Sequence, residues 1–149
     1  MSTEPMKKRA MMAEFFERTL KEQGFHPHFD EDGDIVFKTE GKNVLLYVDP
    51  DDDEFFRLTA PAFFPIENET DRRLAERAAH HVTRDVKVVK VFPVRDHMWA
   101  SVELLCSPIQ AVQDVLSRCV DVLHHGVRQF AMEYHRLAEK HEEEIDFGE

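Results

Sequence analysis

Nine histidines are the residues of this chain whose chemistry is easiest to imagine, and their spacing limits it. His80-His81 and His124-His125 are adjacent pairs on segments that read as helices, where neighbouring side chains diverge by about 100° and cannot grip one ion together. Glu76 with His80, and Asp121 with His125, do have the i, i+4 spacing that sets two ligands on one helix face, as a zinc-dependent enzyme of small molecules would need. The same spacing is that of ordinary solvated surface pairs.

The acidic turn at residues 49–54 imitates a calcium loop only in part. Counting from Asp49 puts Asp at positions one, three and five, but Glu54 stands where the turn glycine belongs and Ala60 where a bidentate Glu belongs. A solvated hairpin turn explains it better. The five glycines, at 24, 33, 41, 126 and 148, are too far apart for a phosphate-cradling loop or a dinucleotide fingerprint. Ser101, Ser107 and Ser117 have no nucleophile-elbow context, and Ser107 followed by Pro108 reads as a helix cap. Cys119 falls on an apolar stripe, where a thiol is a small hydrophobe. The sequence therefore predicts no catalytic residue, no cofactor and no metal.

Composition is that of a globular, soluble domain. The formal charge is -11 over 149 residues, and half of the 30 acids lie in residues 30–34, 49–54 and 139–149. Those stretches hold one of the 19 bases, so the body of the chain is nearly balanced while its turns and end are acidic. Nucleic-acid binders concentrate Lys and Arg on one face, so no nucleic-acid partner is expected. No stretch approaches the roughly 18 uninterrupted apolar residues of a membrane span, and the first 20 residues are too charged for a signal peptide. Two cysteines form no disulfide framework. A cytoplasmic protein with no membrane association is the expectation.

The elements that must position any site follow from periodicity. Ser2 or Thr3 caps a first helix with Pro5 in its opening turn, and Met11, Met12, Phe15, Phe16 and Leu20 form its apolar stripe before Gly24 ends it. A short extended piece through His28, then strands over 34–39, 43–49 and 54–60, alternate with Gly and Asp turns. Asn68 caps a second helix reaching about residue 84. Residues 86–94 and 98–106 form a hairpin in which Pro93 marks an edge strand or a bulge. A long helix starts at Ser107-Pro108 and runs to about residue 140, on the order of 50 Å at 1.5 Å per residue, with Gly126 as a bend. The prediction is one α+β domain over 1–140, an antiparallel sheet flanked by three helices, followed by an acidic tail over 141–149.

An antiparallel sheet with helices on one side should be polar on the other. Here Leu45 and Tyr47 point away from the helices if Val44, Leu46 and Val48 point toward them, and Trp99 and Leu105 oppose Met98, Ala100, Val102 and Leu104. Something must cover part of this second face: a helix, a loop over residues 60–66, a second subunit or a partner. Leu45, Tyr47 and Trp99, with Phe63 and Phe64 in that loop, are the candidate partner-binding residues.

The run Phe25-His-Pro-His-Phe-Asp-Glu-Asp-Gly-Asp-Ile-Val-Phe, continuing through Val44-Leu-Leu-Tyr-Val-Asp-Pro to Phe55-Phe-Arg-Leu-Thr-Ala, and the hairpin end Leu104-Leu-Cys-Ser-Pro, resemble the YbjN-like family of bacterial proteins. The resemblance spans about residues 11 to 137 and contains no catalytic signature. It implies a fold similar to the type III secretion chaperones, small acidic homodimers that hold a segment of a secreted protein in extended form, and it carries an association with sensory-transduction regulation. A non-enzymatic, dimeric module with a protein or peptide partner is the functional expectation. A structural homodimer subunit with no open site, or a metal-dependent enzyme, are the alternatives.

Overall fold

The computed structural model describes residues 3–147. Helix α1 (Glu4–Glu22) begins where Thr3 Oγ1 accepts the Met6 N–H at 3.3 Å, with Pro5 in the first turn. It buries Met12, Phe15, Phe16, Thr19 and Leu20 along one stripe. Four strands follow: β1 (His28–Phe29), β2 (Ile35–Thr39), β3 (Lys42–Leu46) and β4 (Phe55–Pro65). The extended piece through His28 is thus a short strand of the sheet. Between β2 and β3 the turn is made by Glu40 and Gly41, both at positive φ (52° and 76°), the mirror-image turn that matches the twist of a tight hairpin.

Helix α2 (Glu69–Asp85) is capped by Asn68, whose side chain accepts the Asp71 N–H at 2.9 Å. Strands β5 (Val89–Val94) and β6 (His97–Leu105) form the hairpin, and α3 (Leu116–Phe147) closes the chain. All strand pairs are antiparallel, in the order β1-β2-β3-β4-β6-β5. Pro93 accordingly lies on an edge strand. On the outer side of that edge one N–H is met from α2, where Thr83 Oγ1 accepts from Val91 at 3.0 Å.

The helices pack on one face of the sheet. Ile35, Phe37, Val44, Leu46, Phe56, Leu58, Met98, Ala100 and Val102 are fully or almost fully buried there, joined to Phe16 and Leu20 of α1, Ala75 and Ala78 of α2, and Leu123 and Phe130 of α3 in one core. Phe16 meets Phe56 edge-on at 6.2 Å between centroids, and Phe25 meets Phe37 at 5.0 Å. This is an α+β fold of two layers.

The C-terminal third departs from expectation at the start and at the end of its helix. Ser107 caps no helix: its hydroxyl donates to Glu54 Oε1 at 3.1 Å, Pro108 precedes a 3-10 turn (Ile109–Asp114), and the α-helix starts only at Leu116. Gly126 lies within α3, which is helical across it. A Cβ built on it would lie 2.7 Å from Val89 Cγ1, so helix and edge strand approach too closely here for a side chain, and a β-branched neighbour cannot easily give way. The helix is continuous into the acidic end, giving 32 residues and a length of about 48 Å. Leu137 is still buried, and residues 142–146 are exposed.

Residues 60–66 do not cover the second face. They continue β4 through a bulge, in which the register shifts between Ala60 and Phe64 and Ala62 adopts φ 44°. In a regular strand two consecutive side chains point to opposite faces. The bulge lets both Phe63 and Phe64 reach the helix side, each with its ring 5.2 Å from that of Phe130.

Candidate functional site, the open sheet face

Strand alternation assembles the second face from outward positions of the six strands. One row crosses the whole sheet as His28, Val36, Leu45, Thr59, Ser101 and Lys90. On one side of it lie Tyr47, Arg57 and Glu103, then Phe55 opposite Leu105; on the other lies the Trp99 and Phe92 pair. Leu45, Tyr47, Phe55, Phe92 and Trp99 are half-buried, and Leu105 is 82% exposed. Large apolar groups spread over several rows of a sheet face that no described helix covers, around the fully buried Thr59 and Ser101, are the unusual feature of this molecule.

Charge on the face is organised around Glu103. Its carboxylate lies 2.9 Å from Lys90 Nζ and 3.4 Å from Arg57 Nε, and it accepts the Ser101 hydroxyl at 3.4 Å. Arg57 lies over the Tyr47 ring, 4.6 Å from its centroid, and Lys90 lies 5.6 Å from that of Phe92. The cations therefore hold the aromatic rings in place while their own stems extend the apolar surface. At the end of the face Asp34 is already engaged: its Oδ1 accepts the Val48 N–H at 2.8 Å and lies 3.5 Å from Arg9. Burial pushes the Asp34 carboxyl above the usual aspartate range, partly offset by that N–H.

Leu45, Tyr47 and Trp99 are thus brought together on one surface, as the alternation predicts. Phe63 and Phe64 sit on the opposite side, against α3. Arg57, Lys90, Phe92 and Phe55 complete the surface and were not singled out from sequence. The alternation of β4 and β5 contains them, but only the pairing of Arg57 with Glu103 across β4 and β6 joins them into one cluster.

The other candidate chemistry is dispersed. Glu76 lies 4.0 Å from Arg72, His80 and His125 are exposed, and among the described residues no three His, Cys, Asp or Glu side chains converge on a metal-sized point. Asp49 and Asp52 spend their carboxylates on their own turn, accepting the N–H groups of Asp51 and Glu54. Burial pushes the Cys119 thiol up to about 11, leaving it protonated and unreactive at neutral pH. A second concave region, about 480 Å³, lies between α1 and the 3-10 turn and exposes Met11 beside Phe15 and Ile109.

His124 is the buried polar group that the sheet face does not use. It is 2% exposed on α3, and neither ring nitrogen has a hydrogen-bond partner among the described residues. Burial lowers its pKa, and Lys42 and Arg128 act in the same direction; Glu40, 3.8 Å from Nδ1, and Asp121 oppose them. The folded protein holds this ring neutral, whereas the unfolded chain takes up the proton as pH falls through roughly 6.5. Its contribution to stability is complete above that pH and declines on acidification. Melting temperature should therefore fall between pH 7.5 and 5.5, and His124→Leu should flatten that segment of the profile; an unchanged slope in the variant would assign the acid sensitivity to other groups.

The described helices thus pack one face of the antiparallel sheet, and the other carries aliphatic, aromatic and cationic side chains. A family model described as T3SS (YopN, CesT) and YbjN peptide-binding chaperone 1, or TY-Chap1, matches residues 10–138, and the chain belongs to this family. No curated protein matches the chain.

Proposed function

We propose that this protein is a non-enzymatic chaperone-like module that holds an extended segment of a client polypeptide across its open sheet face, with Leu45, Tyr47 and Trp99 as principal contacts. The family is one of peptide-binding chaperones, which supports a protein-binding role. The observation that carries the reading is the set of half-buried aromatic and aliphatic side chains that flank the buried Thr59 and Ser101 on the face away from the described helices. An extended chain laid on a sheet face can place alternate side chains between such rings, and the burial of large apolar groups supplies affinity without any catalytic group. Cytoplasmic location and a homodimeric state belong to the same proposal. They rest on the family likeness and on an α3 that runs beyond the sheet with Met132 and Ile145 exposed. No helix among the described residues is long and apolar enough to cross a membrane.

Trp99 is the single tryptophan, so its emission reports directly on the face. Titration with an unfolded, apolar-rich polypeptide such as reduced, carboxymethylated lactalbumin should shift that emission to shorter wavelength in a saturable way, with light scattering of the same samples giving the number of chains. A flat titration would remove the face as the client site. A dimer whose assembly alone moves the Trp99 emission would mean that the face is closed by a second subunit.

A further inference from the structure

The strands of the open face carry a net charge opposite in sign to that of the molecule. The chain carries -11, yet the charged outward positions within the six strands are Lys38, Arg57, Lys90 and Glu103, three cations to one anion, with His28 and His97 at the margins and with Asp34 and Asp49 continuing the alternation just beyond β2 and β3. Glu103 is shared by two of the cations, and Asp34, at the edge, is matched by Arg9. The acid-rich segments lie in the turns at residues 30–34 and 49–54 and in the projecting end of α3, outside the strands. A cationic, aromatic-lined surface is thus bordered by negative charge.

We infer that the preferred occupant of this face is an extended acidic polypeptide segment, one in which Asp or Glu residues are interspersed with large aliphatic or aromatic ones. This rests on the sheet face being the client site and adds the chemistry of the client. Three features carry it. Arg57 and Lys90 each lie over an aromatic ring, so a carboxylate meeting either cation brings its neighbouring side chain onto Tyr47 or Phe92. Glu103 neutralises only one of the two cations that it bridges, leaving a charge free for a partner. A basic segment would meet that same surplus as repulsion, and like charges brought together at an interface disfavour a partner.

A long polyanion is disfavoured by the same map. Its charge would continue past the face into the acidic turns, whereas a short acidic stretch ends within it. The projecting end of α3 has matching chemistry, with Glu142, Glu143, Glu144, Ile145 and Asp146 exposed, so a second copy of the chain is the competitor to test.

The experiment uses two fluorescently labelled ten-residue peptides with the same Leu, Phe and Ser content, one with four Glu and the other with four Lys, read by anisotropy and by Trp99 emission. The Glu peptide should bind about tenfold or more tighter at low salt, with the difference shrinking in 0.5 M NaCl. Arg57→Glu combined with Lys90→Glu should reverse the order, and Glu103→Gln should strengthen binding of the Glu peptide. Lys38→Glu, at an exposed position, gives the same sign of effect if the double variant folds poorly. Equal binding of both peptides would overturn the acidic preference while leaving the sheet face as client site. Binding of neither, with Trp99 emission unmoved, would overturn both. A Trp99 shift with decathymidylate stronger than with the Glu peptide would assign the surface to nucleic acid. A salt-sensitive, concentration-dependent change of mass that tracks Trp99 without peptide would assign it to a second copy.

Discussion

Replacing Phe130 by alanine is expected to cost about 3–5 kcal/mol of stability, the range for truncating a buried aromatic ring. Phe130 is fully buried at the centre of a four-ring cluster, edge-on to Phe63 and Phe64 at 5.2 Å and stacked on Tyr134 at 6.1 Å. Tyr134 is anchored in turn, its hydroxyl donating to Asp71 Oδ1 at 3.2 Å near the start of α2. The cluster therefore joins α3, the bulged end of β4 and α2, and the cavity left by truncation has rigid walls on all three sides. Against a total stability of roughly 5–15 kcal/mol this is a large fraction, and the melting temperature should drop on the order of 10 °C. Phe130→Leu should recover about half. A loss below about 1 kcal/mol would mean that α3 is not seated on the bulge as described.

The same cluster explains what the sequence conceals. Leu45, Tyr47 and Trp99 could be assigned to the outer face because strand alternation has a period of two and survives as long as the strand is regular. Phe63 and Phe64 could not be placed, because a bulge breaks that period and its sign is Ala62 at positive φ, a conformation that no local motif announces at an alanine. Helix starts were legible where a side chain makes the cap, at Thr3 and Asn68. At Ser107-Pro108 the same residue types end a strand, and Ser107 is drawn to Glu54, 53 residues away in sequence.

Gly126 shows the limit from another side. Its low helix propensity suggests a bend, but its function is set by Val89, a strand residue whose proximity only the tertiary fold reveals. The link among Arg57, Glu103 and Lys90 belongs to the same class. Each residue type was visible, but the register of β4 against β6 and of β5 against β6 is what makes them neighbours.

Replacing Trp99 by alanine should have the opposite signature to Phe130→Ala: a large loss of client affinity with little loss of stability. Tryptophan at the centre of an interface is worth about 2–4 kcal/mol on truncation, which corresponds to roughly a thirtyfold to thousandfold weaker complex. Within the folded protein alone, Trp99 is half-buried on the open face, where its cross-strand neighbour is Phe92 and the described helices pack against the other side. Losing such a cross-strand pair costs about 0.2–1 kcal/mol, a small fraction of the Phe130 effect. Anisotropy of a labelled client peptide gives the first quantity and thermal melting the second, and Trp99→Phe should retain part of the affinity because the ring contact with the client survives. Should Trp99→Ala melt as early as Phe130→Ala, the outer face would be a second core, and the open-face reading would fail. Should affinity be unchanged at full stability, the client would lie elsewhere, and the groove of Met11, Phe15 and Ile109 beside α1 would become the surface to mutate next.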